Sequence, residues 1–193
     1  FDILLYRGEI KVKTRDLVLI ALFAALTAIG GFLNIPTSTV PFSLQFLFCA
    51  YAGVFLGAKK ALLSQLLYLA IGLAGLPVFT KGGGIGYIFQ PSFGFLLGFA
   101  VCAFITGYIV ERSSKHSFVK ILHSVLAGLF STYVIGTVYL YFIINYTAAP
   151  GSEIDFATAV AWGVAPFIAF DLIKVAIVSV TAAKILPVLR RFL

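Results

Sequence analysis

Six long apolar stretches leave this chain little choice of architecture. They cover about 17–33, 42–56, 61–76, 93–110, 119–146 and 158–186. A bilayer core about 30 Å thick takes roughly 20 apolar residues of helix to cross. Only helices and closed barrels satisfy their backbone groups in that medium. A barrel would show alternating segments of about ten residues, and these stretches do not alternate. The expected fold is therefore all-α, an integral membrane bundle of six transmembrane helices. The second and third stretches are short and are expected to sit partly inside the bundle. Composition agrees: 61% of residues are hydrophobic and 11% charged, with mean hydropathy +1.08. A soluble domain is about a quarter charged. A water-soluble enzyme, a disordered tail and a nucleic-acid-binding domain are excluded.

Charge placement sets the direction of the spans. Arg7, Lys11, Lys13, Arg15, Lys59, Lys60, Arg112, Lys115, Lys120, Lys184, Arg190 and Arg191 fall in alternate connections and at the two ends. The opposite loops carry Lys81 as their single basic residue. The positive-inside rule then puts both termini in the cytoplasm. Residues 1–15 are read as a cytoplasmic N-terminal segment and 16–193 as the six-helix membrane domain. Glu153 and Asp155 lie on the outer side, where Tyr139, Tyr141, Tyr146 and Trp162 suit an interfacial belt. The net charge of +7 thus reflects topology, and no nucleic-acid partner is expected. The chain has no Met and begins at Phe1, so its natural start is expected to lie upstream. No cleavage-type small-residue site precedes the first span, so residues 1–10 do not read as a signal peptide. Cys49 and Cys102 sit in apolar runs and read as packing residues rather than a disulfide.

Two ionisable residues fall inside an apolar stretch, Asp171 and Lys174. Each costs about 2.5–3.5 kcal/mol at a helix centre. Three residues apart, they share one helix face and must point into the bundle. One reading is a structural ion pair that fixes helix packing. The other is a polar ligand site. Pro166, five residues earlier, removes a backbone donor and is expected to bend the sixth helix. The outer loops are the second unusual feature. The first, NIPTSTVPFSLQF, is stiffened by Pro36 and Pro41 and carries Thr37, Ser38, Thr39, Ser43 and Gln45. The second contains Gly82, Gly83, Gly84 and Gly86, which let backbone approach another group closely. It follows no phosphate-loop spacing and reads either as a flexible turn or as a wall over a ligand. Ala21 and Ala25, and Ala24 and Ala28, put small residues four apart on the first helix. Gly53 with Gly57 and Gly94 with Gly98 repeat the pattern. Such spacing lets helices approach closely, within the chain or against a partner. His116 and His123 lie on the cytoplasmic side, away from the Asp171–Lys174 pair. No nucleophile–base pairing or metal motif stands out.

VPFSLQ at 40–45, GLPVF at 75–79 with the glycines that follow, GFLLGF at 94–99 and FDLIK at 170–174 together resemble the BioY family. These are the biotin-specific membrane subunits of energy-coupling-factor (ECF) vitamin transporters. The resemblance covers about 15–186. It departs where Lys81 stands in place of a frequent glycine and where PSFGFL replaces a PTGGYL-like sequence. The resemblance implies a six-helix S component, so that 16–193 is a substrate-binding domain in the bacterial plasma membrane, crossing it several times. It captures biotin from outside and delivers it with an ECF transmembrane coupling subunit and two ATPase subunits. ATP hydrolysis belongs to those partners, so the chain itself is not an enzyme. Biotin is the transported ligand, with no cofactor. The implied substrate-binding residues are Asp171, Lys174, Gln45, Thr37, Gly82, Gly83, Gly84, Tyr87, Gln90 and Asn34. Phe79, Tyr87, Phe89 and Phe93 are expected to wall an apolar ring. Ala21, Ala24, Ala25 and Ala28 are expected to meet the coupling subunit. The alternatives are an S component for another vitamin, a channel or membrane enzyme using Asp171 and Lys174 as a proton relay, and a purely structural membrane subunit.

Overall fold

The computed structural model describes residues 13–36, 39–113, 117–149 and 151–189. Within them the chain is mostly helical. Helix α1 (Thr14–Phe32) runs through the first apolar stretch. It stops where Asn34 and Ile35 enter strand β1 (Asn34–Ile35), which pairs antiparallel with β2 (Phe42–Ser43). This short ladder is an addition to the expected all-helical fold. It closes the first outer loop and delivers the chain directly into α2 (Gln45–Leu56). Gly57 then turns at φ +78°, a left-handed conformation that a side chain resists, and α3 (Ala58–Leu73) begins at the next residue.

Beyond α3 the chain folds back over the helix end. Phe79 and Gly82 exchange backbone bonds, and Gly84 N–H donates to Gly72 O at 2.7 Å. A 3₁₀ turn (Ile85–Phe89) leads into α4 (Phe93–Glu111). Helix α5 (Phe118–Thr147) has 30 residues and spans about 45 Å at 1.5 Å per residue, more than a bilayer core. Asp155 caps α6 (Phe156–Gly163), accepting the Thr158 N–H at 2.9 Å. Its hydrogen bonds to Thr158 hold its carboxyl below the usual value. The sixth apolar stretch is not one helix. It breaks at 164–167, next to Pro166, and resumes as α7 (Ile168–Leu189) with a 48° bend. The expected proline bend is thus a full break.

By length and apolarity α1, α4 and α5 can cross a membrane, and α6 with α7 passes the same test only as a pair, as a broken span or a re-entrant loop. Helices α2 and α3 have 12 and 16 residues, below the roughly 20 needed to cross. Most of α2 is buried in the bundle. The expected cytoplasmic segment 1–15 falls mainly outside the described residues; Thr14 and Arg15 already belong to α1. Asp16 in the first turn of α1 pairs with Lys60 on α3 at 2.7 Å, tying those helices at one end.

The core sits between α2, α3, α4, α5 and α7. Small residues set how closely these helices approach. A Cβ on Gly98 would lie 2.9 Å from the Thr132 Cα, and one on Gly107 would lie 2.5 Å from the Ala58 backbone nitrogen. Gly53 and Gly94 are likewise filled from within, by Thr106 and Tyr139. These glycine patterns therefore pack the chain on itself. Cys49 and Cys102 are free, buried thiols in the same core. Among the expected belt residues Tyr146 and Trp162 are exposed, whereas Tyr139 turns inward and donates to the Ile88 carbonyl.

Gly107→Ala is expected to destabilise the protein by about 1–3 kcal/mol, because neighbouring backbone must shift. Gly86→Ala, where the added methyl meets open space, should be close to neutral. Thermal unfolding of both variants in detergent checks this.

Candidate functional site

The Asp171–Lys174 pair is the geometric centre of the candidate site. Because the helix restarts at Ile168, Asp171 lies in the first turn of α7, not at mid-helix as its place in the apolar stretch suggests. There the positive end of the helix dipole favours a carboxylate. Asp171 is 7% exposed. Lys174 Nζ donates to Asp171 Oδ1 at 2.8 Å and to the Ser43 carbonyl at 2.7 Å. The Tyr133 hydroxyl, from α5, donates to Asp171 Oδ2 at 2.7 Å. Three separate elements therefore converge on one ion pair: α7, α5 and the hairpin that precedes α2.

Ser43 carries the network further. Its hydroxyl donates to Gln45 Oε1 at 3.0 Å. The Gln45 amide reaches the Tyr68 hydroxyl on α3, and Tyr68 reaches the Val78 carbonyl at 3.3 Å. Glycine makes this possible at Gly31, where a Cβ would come within 3.1 Å of the Val78 oxygen and 3.2 Å of the Gln45 amide.

These groups border a partly open cavity. Val40, Pro41 and Ser43 contribute from the first outer loop, with Gln45 and Phe46 from α2. Phe95, Leu96 and Phe99 come from α4, and Leu129, Thr132 and Tyr133 from α5. Phe167, Asp171 and Lys174 close the third side, with Thr80 and Ser92 from the second loop region. Small-molecule sites combine apolar walls with a few placed polar groups, and the lining of this cavity has that chemistry. The pair faces the cavity. It is neither turned to the outside of the bundle nor sealed away.

The other candidates divide. Gln45 joins the cavity wall. Tyr87 stands behind it, its hydroxyl bonded to Thr80 at 3.0 Å and to Ser92 at 3.2 Å, both of which line the cavity. Asn34 instead donates to the Gly31 carbonyl at 2.6 Å and finishes α1. Gln90 contributes backbone bonds to the turn before α4 and is not part of the wall. Gly82, Gly83 and Gly84 shape the loop over α3; a Cβ on Gly83 would overlap the Leu76 carbonyl at 2.1 Å. Thr37 lies outside the described residues. The aromatic residues expected to wall the ligand do not line this cavity. Phe79 packs on Gly72 and Tyr68, Phe93 on Tyr87 and Tyr139, and Phe89 is exposed. The wall is made by Phe46, Phe95, Phe99 and Phe167. On α1, Ala21 and Ala25 are exposed and Ala28 is half-buried. Ala24 is 4% exposed and packs within the chain's own core.

The BioY family model matches residues 7–191. The chain belongs to the BioY family. It is 34% identical to the biotin transporter BioY of Thermotoga maritima over 172 residues, 89% of this chain and 95% of that one. It is 47% identical to a probable biotin transporter BioY of Lysinibacillus sphaericus over 133 residues, 69% of this chain and 68% of that one. The fold matches a crystal structure of the S-component for biotin from an ECF-type ABC transporter with a TM-score of 0.76. There the identity is 27%, with 93% of this chain and 94% of that one covered. These BioY relatives are named as transporters, not enzymes.

Tyr133, Thr132, Thr80, Ser92 and the four wall phenylalanines escaped the sequence reading. Tyr133 carried one usable signal. It is a hydroxyl-bearing residue in an apolar helix, and a buried charge requires donors from its neighbours.

Removing one partner of a buried pair leaves the other charge uncompensated, typically a loss of about 3–5 kcal/mol. Lys174→Met is expected to lower ligand-free stability by roughly 3 kcal/mol. The double variant Asp171→Asn/Lys174→Met should recover most of that loss. Ligand-free thermal unfolding of the two proteins decides it.

Proposed function

We propose that this chain is the biotin-capture subunit of an ECF-type transporter. It binds biotin from the outer side in the cavity bordered by Asp171 and Lys174. The observation that carries this reading is a buried ion pair presented to a partly open cavity with largely apolar walls, in a chain of the BioY family. Biotin combines a ureido ring with two N–H donors and one carbonyl acceptor, an apolar thioether ring, and a chain ending in a carboxylate. Asp171 supplies an ionised acceptor, which makes stronger hydrogen bonds than a neutral one. Lys174 supplies a cationic donor for the ureido carbonyl or the carboxylate. Phe46, Phe95, Phe99 and Phe167 supply the apolar surface.

The rest of the functional assignment follows the same reading. The chain is a multi-pass protein of the bacterial plasma membrane. Six passes with both termini cytoplasmic agree with the basic residues in alternate connections. Helices α2 and α3 would then be short crossings hinged at Gly57. Energy comes from a transmembrane coupling subunit with two ATPases, and the exposed Ala21–Ala25 face of α1 is the surface offered to the coupling subunit. A single-cysteine variant at Lys81 is expected to react with a membrane-impermeant maleimide in intact cells. One at Lys59 should react only after permeabilisation. The reverse pattern would invert the topology.

Calorimetric titration of the purified protein tests the ligand. Biotin is expected to bind with one site per chain, and thiamine and riboflavin should not compete. Asp171→Asn should weaken biotin more than about tenfold, since a ligand donor loses its ionised partner in a buried site. Equal affinity in folded Asp171→Asn protein would remove Asp171 from the site. Tight thiamine or riboflavin binding in place of biotin would assign the chain to another vitamin.

A further inference from the structure

We propose that Tyr133 is a positioning residue for ligand capture: its hydroxyl fixes the plane of the Asp171 carboxylate so that the free lone pairs face the cavity. The role assigned to Tyr133 rests on the cavity holding biotin. A carboxylate turns easily about its last side-chain bond, whose torsion is broad and roughly two-fold. Lys174 holds only Oδ1, and it stands on the same helix three residues away. One such contact leaves the carboxylate free to swing about it. Tyr133 reaches Oδ2 at 2.7 Å from a different helix. Two donors on the two oxygens, from two directions, leave one orientation.

Each oxygen keeps a further lone-pair position for a ligand donor, because an ionised carboxylate offers about four. Tyr133, Asp171 and Lys174 all border the same cavity, so the fixed acceptor is presented where the ligand enters. A preorganised acceptor spares the ligand the cost of ordering it on binding. The α5 backbone around Tyr133 is held for this purpose by close contacts. Thr132 Oγ1 donates to the Gly128 carbonyl at 3.1 Å and to the Gly98 carbonyl of α4 at 3.3 Å.

The test is a double-mutant cycle in purified, detergent-solubilised full chain, read by biotin titration. Thermal melting first confirms that each variant is folded. Tyr133→Phe keeps the ring and removes the hydroxyl. It is expected to weaken biotin about tenfold in the otherwise unaltered protein. In the Asp171→Asn background the same change should cost less than about twofold, because there is no ionised carboxylate left to orient. A loss of equal size in both backgrounds, or no loss in either, would overturn the proposal. Infrared difference spectra of ligand-free protein give a second, biotin-independent readout. Tyr133→Phe should shift a carboxylate stretching band that is missing from Asp171→Asn protein, and an unshifted band would also overturn the role. Failure of the unaltered protein to bind biotin would instead strike the functional reading, leaving the infrared result to decide whether Tyr133 holds Asp171.

Discussion

A carboxylate and an ammonium taken into an apolar bundle set the strictest local constraint on this fold. Neither charge survives burial without close partners. Asp171 has two donors and Lys174 two acceptors, and the three bonds involve three parts of the fold. The restart of the helix at Ile168 adds the favourable end of a helix dipole. The break near Pro166 is therefore more than a bend. It moves an acidic residue from the middle of a span to the beginning of a helix, where it is cheaper to keep ionised.

The remaining architecture is arranged so that those partners arrive together. The β1–β2 hairpin brings the Ser43 carbonyl to Lys174 across 131 positions of sequence. Close glycine contacts hold α4 against α5 and fix the height at which Tyr133 meets α7. A single chain of contacts then runs from the ion pair through Ser43 and Gln45 to Tyr68 on α3. It links the loop before α2 with the loop after α3. Both loops bear on the cavity, so its wall and its charged side are one connected structure.

Much of this was legible in the sequence, and the reasons are physical. Long apolar runs report helices because lipid allows few alternatives. Asp171 and Lys174 stood out because ionisable residues are rare where burial is costly. Gln45 was one of several hydrogen-bonding residues of the first outer loop, with nothing in its spacing to set it apart from Ser43 or Thr39. Tyr133 did not stand out, since it is one of nine tyrosines in a chain with 20 phenylalanines, and its value comes from a contact 38 residues away. The wall phenylalanines were hidden for the same reason. Sequence proximity to the glycine loop pointed to Phe79, Phe89 and Phe93. That loop folds back over α3 instead, setting Phe79 on Gly72. The glycines shape the cover over α3 and leave the phenylalanine lining of the cavity to α2, α4 and the residue before α7.

The polar groups elsewhere in the bundle weigh against a proton relay. A conducting path needs polar groups through the depth of the pore. Buried Thr27, Ser124 and Ser179 instead donate to carbonyls of their own helices, at 2.7–2.8 Å. Such bonds satisfy a hydroxyl locally and leave it no proton to hand on along a chain. Val125, Cys49 and Cys102 fill the core between them with apolar side chains that exclude water. The ionised pair is thus connected to a cavity on one side and to packed hydrocarbon on the other. A charged pair placed that way is reached from one side of the bundle and not through it.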